Sequence, residues 1–214
     1  MSTAVDRAFA PASLPAEIVG WSEAFASVMM DADELLHLAA ALAAYDWSDG
    51  AIVVEVGAYL GKTTVFMAKV LEHVGSPAPI LSIDAFERVV PDSLNPQGVF
   101  ETYLQNVAAA GFAARCFPLV GFSQHVAPVV PNAIGVLVVD GGHYDEVVRA
   151  DLALYAPKIR PGGYLFADDY GPMYPDVVRA LDDFLARAPE FTVLAQHGFV
   201  VARRAPQEGA AWAS

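Results

Sequence analysis

The segments Val136-Leu-Val-Val139-Asp140 and Tyr164-Leu-Phe-Ala167-Asp168-Asp169 place an aspartate at the end of each of two apolar runs, with Asp168 28 positions after Asp140. Runs this short and this apolar read as buried strands of a parallel sheet. Buried strands seldom end in carboxylates unless something positive sits at their tips. Open α/β sheets bind ligands just beyond the carboxyl ends of their strands. Three oxygen donors with a summed charge of −3 suit a hard divalent cation. Asp140, Asp168 and Asp169 are therefore candidate Mg²⁺ ligands on the rim of an α/β sheet.

Outward from these runs, strand and helix alternate. Strands are expected at 52–56, 80–83, 113–120, 136–139 and 164–167, and helices at 61–73, 100–110, 123–129, 145–156 and 176–187. Segments 191–195 and 199–202 form a closing hairpin around Gly198, which implies that the last strands run antiparallel to the rest. A Pro-containing loop covers 89–98. Such alternation predicts a doubly wound, mostly parallel α/β sheet of seven strands. Residues 1–14 are expected to be a flexible N-terminus, followed by one domain over 15–214, with N-terminal helices at 15–48 and the core at 49–214. The apolar N-terminal helices offer a surface for a homo-oligomer.

Composition narrows the partners. With 12 Lys and Arg against 25 Asp and Glu, the net charge of −13 repels phosphate backbones, so nucleic acid is not expected as a partner. The single cysteine, Cys116, lies in an apolar stretch and reads as core packing. No segment has the pattern of a signal peptide, and every apolar run is broken well short of the ~20 residues needed to span a bilayer. A cytoplasmic protein without a membrane partner is the expectation.

The loop after the first strand, Glu55-Val-Gly57-Ala-Tyr-Leu-Gly61-Lys62-Thr63-Thr64, admits several readings. A phosphate-binding P-loop needs G-x-x-x-x-G-K-[ST], and the chain is one residue short of it. A dinucleotide fingerprint needs a second glycine where Ala58-Tyr59 stands, and Glu55 would repel a pyrophosphate. The pattern E-x-G-x-x-x-G suits a ligand with an ammonium and a sulfonium and no phosphate, toward which Glu55 is favourable. Asp84, at the end of the second strand, is then placed to accept ribose hydroxyls. A glycine-rich turn without a ligand stays open beside these.

With these residues laid out, the chain resembles the class I methyltransferases, with their Rossmann-like sheet, over about residues 30–203. Glu55 to Leu71 resembles catechol O-methyltransferase. Val139-Asp-Gly-Gly-His-Tyr144, Ala167-Asp-Asp-Tyr-Gly171 and the stretch from Val177 to Leu185 resemble the macrocin-type sugar O-methyltransferases. Both families take their Mg²⁺ ligands at the Asp140 to Asp168-Asp169 spacing.

The resemblance implies S-adenosylmethionine as cofactor, with Glu55, Gly57, Ala58, Tyr59, Gly61 and Thr63 around its methionine end. It places Asp84, Ala85 and Phe86 by the ribose, and Gly121, Phe122 and Ser123 by the adenine, with Asp140 and His143 lining the same site. It implies Mg²⁺ or another divalent cation on Asp140, Asp168 and Asp169. His143 occupies the position of the catechol enzymes' catalytic lysine. Some sugar enzymes carry an acidic residue where Gly142 stands here, which moves the expected base to His143.

The resulting expectation is a Mg²⁺-dependent O-methyltransferase acting on a small molecule with vicinal oxygens, a natural-product sugar or a catechol-like acceptor. The cation acidifies the acceptor hydroxyl and His143 takes its proton. Alternatives stay open for individual residues. His143 is a base or the cap of the following helix, and Asp169 a metal ligand or an N-cap. Tyr170, Met173 and Tyr174 line the acceptor pocket or simply pack their loop. For the whole chain, the alternatives are a metal-independent methyltransferase acting on a cationic acceptor and a non-catalytic S-adenosylmethionine-binding module.

Overall fold

The computed structural model describes residues 8–27, 29–86 and 98–206. The flexible N-terminus and the Pro-containing loop expected from sequence thus lie partly outside the described residues, as do residues 207–214. Where residues 8–14 are described, they are docked. Pro11–Ser13 form a 3-10 turn, and Phe9 packs on Tyr164 and His37.

Two helices precede the sheet: α1 (Ala16–Phe25) and α2 (Ala32–Ala44). Asp31 caps α2 through the backbone N–H groups of Asp33 and Glu34, while the Glu34 carboxylate accepts from the Asp31 N–H. This reciprocal box satisfies donors that a helix start otherwise leaves orphaned. The core then alternates: β1 (Ile52–Val56), α3 (Lys62–His73), β2 (Ile80–Asp84), α4 (Val99–Ala109), β3 (Cys116–Val120), α5 (Ser123–Val126), β4 (Ile134–Val139), α6 (Asp145–Tyr155), β5 (Ile159–Ala167), α7 (Pro175–Arg187), β6 (Phe191–Gln196) and β7 (Val200–Arg204).

The seven strands lie in the order β3-β2-β1-β4-β5-β7-β6. Strands β1 to β5 are parallel, and β7 is antiparallel to both β5 and β6. Among the described strands, β7 alone therefore runs against the sheet. The hairpin is as expected, but β6 points the same way as the parallel strands.

One apolar layer, from α1 to α4, covers one face and includes Leu38, Phe66, Met67, Leu71 and Tyr103. The other face is covered by α5 to α7 through Val148, Leu152, Tyr155 and Leu181. Cys116 belongs to the first layer, where burial pushes its thiol up to about 12 and keeps it inert.

Two strands depart most from the sequence expectation. β5 begins at Ile159 and runs through Pro161-Gly162-Gly163, with a register shift against β4 between Ile134 and Val136. Gly163 is required there, because a Cβ would lie 2.7 Å from the Gly135 carbonyl oxygen. β3 is shorter than expected and holds Pro118, which its place at the sheet edge tolerates.

Candidate functional site

The strand tips are tied into one rim. Gly121 N–H donates to Asp84 O (2.8 Å), Gly57 N–H to Ile83 O (2.9 Å), Asp140 N–H to Val56 O (2.8 Å) and Asp168 N–H to Val139 O (3.0 Å). This ladder aligns the carboxyl ends of β3, β2, β1, β4 and β5, so Asp84, Gly57, Asp140 and Asp168 stand side by side.

Gly57 is where the β1 loop crosses the tip of β4. Its φ is +90°, and a Cβ would fall 1.8 Å from the Asp140 carbonyl oxygen. The close approach here is to the chain's own backbone. Gly61 caps α3 at φ +78°, with the Tyr103 ring 2.8 Å from where a Cβ would sit.

Glu55 is fully buried and turned toward α3. Its Oε2 accepts from Thr64 Oγ1 (2.5 Å) and Ser82 Oγ (2.7 Å), while Oε1 has no hydrogen-bond partner among the described residues. Burial pushes its carboxyl up to about 7, against the pull of the two hydroxyls. Asp84 accepts three backbone N–H groups: Ala58 (2.9 Å) and Tyr59 (2.8 Å) on Oδ2, and Phe86 (2.7 Å) on Oδ1. It thus pins the β1 loop, with Tyr59 and Phe86 both held at positive φ. Phe86 is buried against Phe100 and Tyr103, whereas Ala85 stays partly exposed. Lys62 donates to the Ala26 carbonyl oxygen (3.1 Å), and Thr63 faces the Met30 sulfur (3.9 Å). The lysine is engaged with backbone, unlike the lysine of a phosphate loop.

On the far side of the rim, Ser123 donates to the buried Asp151, and Tyr155 donates to the Ser123 carbonyl (2.7 Å). Burial pushes Asp151 up to about 6, opposed by the Ser123 hydroxyl. Two residues of α6 thus hold the β3–α5 loop, at whose start Gly121 has φ +152° and Phe122 is half exposed.

Asp140, Asp168 and Asp169 come together as the sequence suggests. One carboxylate oxygen from each lies within 4.8 Å of the others, with Asp168 buried and its two partners partly so. Burial and then the charges of Asp168 and Asp169 push Asp140 well up. Burial, with Glu34 beside it, lifts Asp168 to about 8. Asp169 is raised by burial against the pull of His143. Three crowded carboxylates whose ionisation burial suppresses form a donor set that a divalent cation would relieve. The residues present therefore fit a hard metal ion.

His143 stands at the edge of this cluster. Its Nε2 is 2.7 Å from Asp169 Oδ2, and its ring lies against Tyr174 with centroids 4.3 Å apart. It does not act as the side-chain cap of α6, whose N-cap is Tyr144 with no side-chain hydrogen bond. Asp169 is held at φ +62°, a conformation Asp tolerates at some cost. The three residues expected to line the acceptor pocket diverge. Tyr174 touches His143. Tyr170 donates to Asp182 (2.8 Å) and borders a cavity of about 660 Å³ shared with Pro175, Arg179 and His197. Met173 is 79 % exposed.

Two contributors were missed in the sequence. Glu34, from α2, lies beside Asp168, close enough to share a proton with it, and burial raises its own carboxyl. Its Asp-x-x-Glu spacing announces a helix cap, so the second use was hidden. Asp151 reads as an ordinary polar position of an amphipathic helix, and only packing turns it inward.

A family model described as "Methyltransferase domain" matches residues 54–170, more than half of the chain. No curated protein matches it by sequence. Among solved structures, the O-methyltransferase NovP superposes with a TM-score of 0.62 at 22 % identity, covering 72 % of each chain. An O-methyltransferase from Bacillus cereus, solved in complex with SAH, gives 0.59 at 15 % identity, covering 94 % of this chain and 97 % of that one. The calicheamicin methyltransferase CalS11 gives 0.51 at 18 % identity, covering 72 % of each. At such identities the likeness establishes the shared fold, and the family match adds membership. The chain belongs to the methyltransferase-domain family and is a class I, S-adenosylmethionine-dependent methyltransferase.

Proposed function

We propose that the enzyme is a Mg²⁺-dependent O-methyltransferase whose acceptor is a small molecule with two neighbouring oxygens, a natural-product sugar or a catechol-like compound. The observation that carries this reading is the meeting of Asp140, Asp168 and Asp169 beside a histidine already paired to one of them. Similarity in fold to the O-methyltransferase NovP agrees with methyl transfer to an oxygen.

S-adenosylmethionine supplies the methyl group, held along the β1 and β2 tips. There the buried Glu55 ties β1 to α3 through Thr64, and Asp84 Oδ1, which among the described residues accepts the Phe86 N–H alone, keeps a lone pair for a ribose hydroxyl. Asp140, Asp168 and Asp169 would hold the cation, which supplies Lewis acidity toward an acceptor hydroxyl.

His143 takes that hydroxyl's proton. With Nε2–H donating to Asp169 Oδ2, the lone pair on Nδ1 is the basic site, and the aspartate fixes both ring orientation and tautomer. A carboxylate has two oxygens, so Asp169 can hold His143 with one and share in the cation with the other. The Tyr174 ring on His143 restricts the imidazole further. Fixing the reacting groups in this way lowers the entropic part of the barrier.

The test is methyl transfer from S-adenosylmethionine to a panel of catechols and sugar diols, with and without excess chelator. Activity on a vicinal diol that is lost in chelator and restored by Mg²⁺ is expected. Transfer to an amine that ignores chelator would overturn the metal reading, the aspartates then serving a cationic acceptor. Saturable cofactor binding with no turnover on any acceptor would overturn the catalytic one.

A further inference from the structure

Outside the aspartate cluster, α2 and the β6–β7 turn bring a different donor set together. Asp33 and His37 lie one helical turn apart on α2, and His197 sits in the hairpin turn just before Gly198. The Asp33 carboxylate, a ring nitrogen of His37 and a ring nitrogen of His197 all lie within 4.8 Å of one another. His37 Nδ1 is 3.4 Å from the Asp33 carboxylate and 2.8 Å from the Asp33 carbonyl oxygen. The carbonyl can only accept, so Nδ1 carries the proton and the Nε2 lone pair is left for another partner.

The ring of His37 is also locked in place. It packs against Phe199 (4.9 Å between centroids), His197 (5.8 Å) and Phe9 (6.1 Å), and only 15 % of its side chain is exposed. Histidines that ligate metals characteristically donate their second nitrogen to a carbonyl or carboxylate in this manner.

We propose that Asp33, His37 and His197 form a second metal site, specific for a Zn²⁺-class transition ion, that staples α2 to the β6–β7 hairpin. Two imidazoles and one carboxylate suit Zn²⁺, Co²⁺, Ni²⁺ or Cu²⁺, whereas the all-carboxylate cluster suits Mg²⁺. Three protein ligands leave a fourth, tetrahedral position for water. The staple bears on the neighbouring centre, because the next residue on α2, Glu34, stands beside Asp168. Its Oε1 also lies 3.3 Å from the position of a Cβ on Gly198, so the hairpin turn packs directly on it. An ion held here fixes the first turn of α2 against the hairpin and, through Glu34, against the rim of the aspartate cluster.

The experiment is calorimetric titration of the chelator-stripped full chain with Zn²⁺ in a large excess of Mg²⁺, repeated with Co²⁺ as a spectroscopic probe. The wild-type chain is expected to take up one Zn²⁺ and to show the visible absorption of four-coordinate Co²⁺. Asp168→Asn should retain this site, which separates it from the Mg²⁺ centre. His197→Ala, an exposed position that folding tolerates, should weaken Zn²⁺ at least about 100-fold, the upper end of what loss of even an outer-shell partner costs. No uptake by the wild type, unchanged affinity in His197→Ala, or loss of the site in Asp168→Asn would each overturn the proposal. None of these outcomes depends on methyl transfer, so the proposed function stands or falls separately.

Discussion

Asp84 at the tip of β2 and Asp168 at the tip of β5 are the same chemical group at equivalent places on one sheet. Asp84 is met by three backbone N–H donors from two loops. Asp168 is met by Asp140, Asp169 and Glu34, all of its own sign, and burial, with Glu34 and Asp169, raises its carboxyl to about 8. A carboxylate surrounded by N–H groups is consumed in building a loop. One surrounded by carboxylates stores a demand for positive charge. The β1–β2 end of the rim is therefore a preformed loop, and the β4–β5 end is a cluster of carboxylates whose charge either protons or a cation would relieve.

The largest expected effect comes from breaking the second region. Asp168→Ala should lower methyl transfer about 10⁴-fold, several kcal/mol of barrier, if a cation there activates the acceptor. Initial rates across a Mg²⁺ titration check it. His143→Ala should reduce kcat roughly 10²–10³-fold while changing the cofactor Kd far less. Asp169→Asn should behave in much the same way, and the double variant should lose little more than either alone, because the pair acts as a unit. Additive losses in such a cycle would separate the two residues.

Breaking the first region should cost stability before chemistry. Gly57→Ala forces a Cβ onto the Asp140 carbonyl at φ +90° and should destabilise by about 3 kcal/mol, read from denaturant midpoints. Ser123→Ala leaves Asp151 buried without its hydroxyl donor and should cost about 1–2 kcal/mol, visible as a lower Tm.

The last test sharpens the contrast through pH. Asp168 titrates near 8 when folded and near 3.8 in its ordinary state, so between these values the folded chain holds more protons than the unfolded one. Stability of the chelated protein should fall as pH rises through that window, and Mg²⁺ should restore it most at the alkaline end. Asp168→Asn should flatten the profile. A metal-free Tm that rises from about pH 5 to pH 8 would contradict the crowded-carboxylate picture.

Legibility in the sequence followed the range of the interactions. β1, at 52–56, coincides with its expected span, since a run of β-branched residues between turns needs no partner to be recognised. β5 starts five residues earlier than expected, because Arg160-Pro-Gly-Gly163 has the local chemistry of a turn and is held as strand by its neighbours. The aspartate triad was legible because each member ends or follows a strand run. Its link to His143 was not, since the positive φ of Asp169 that sets the contact is decided by the loop around it. The packing of Phe86 under α4, where two aromatic rings surround it, was likewise not legible from the sequence.

The sequence by itself determined the alternation of strands and helices, the acidic rim and the glycines of the first loop, because periodicity, charge and turn chemistry act over a few residues. Tertiary structure alone decided which carboxylates are spent on N–H groups and which are left facing one another. It brought Glu34 and the Asp33–His37–His197 cluster from α2 to the far end of the chain, and turned Asp151 and Glu55 inward. Those outcomes depend on desolvation and on contacts between distant segments, and both exist only once the sheet is assembled and its two helical layers are in place.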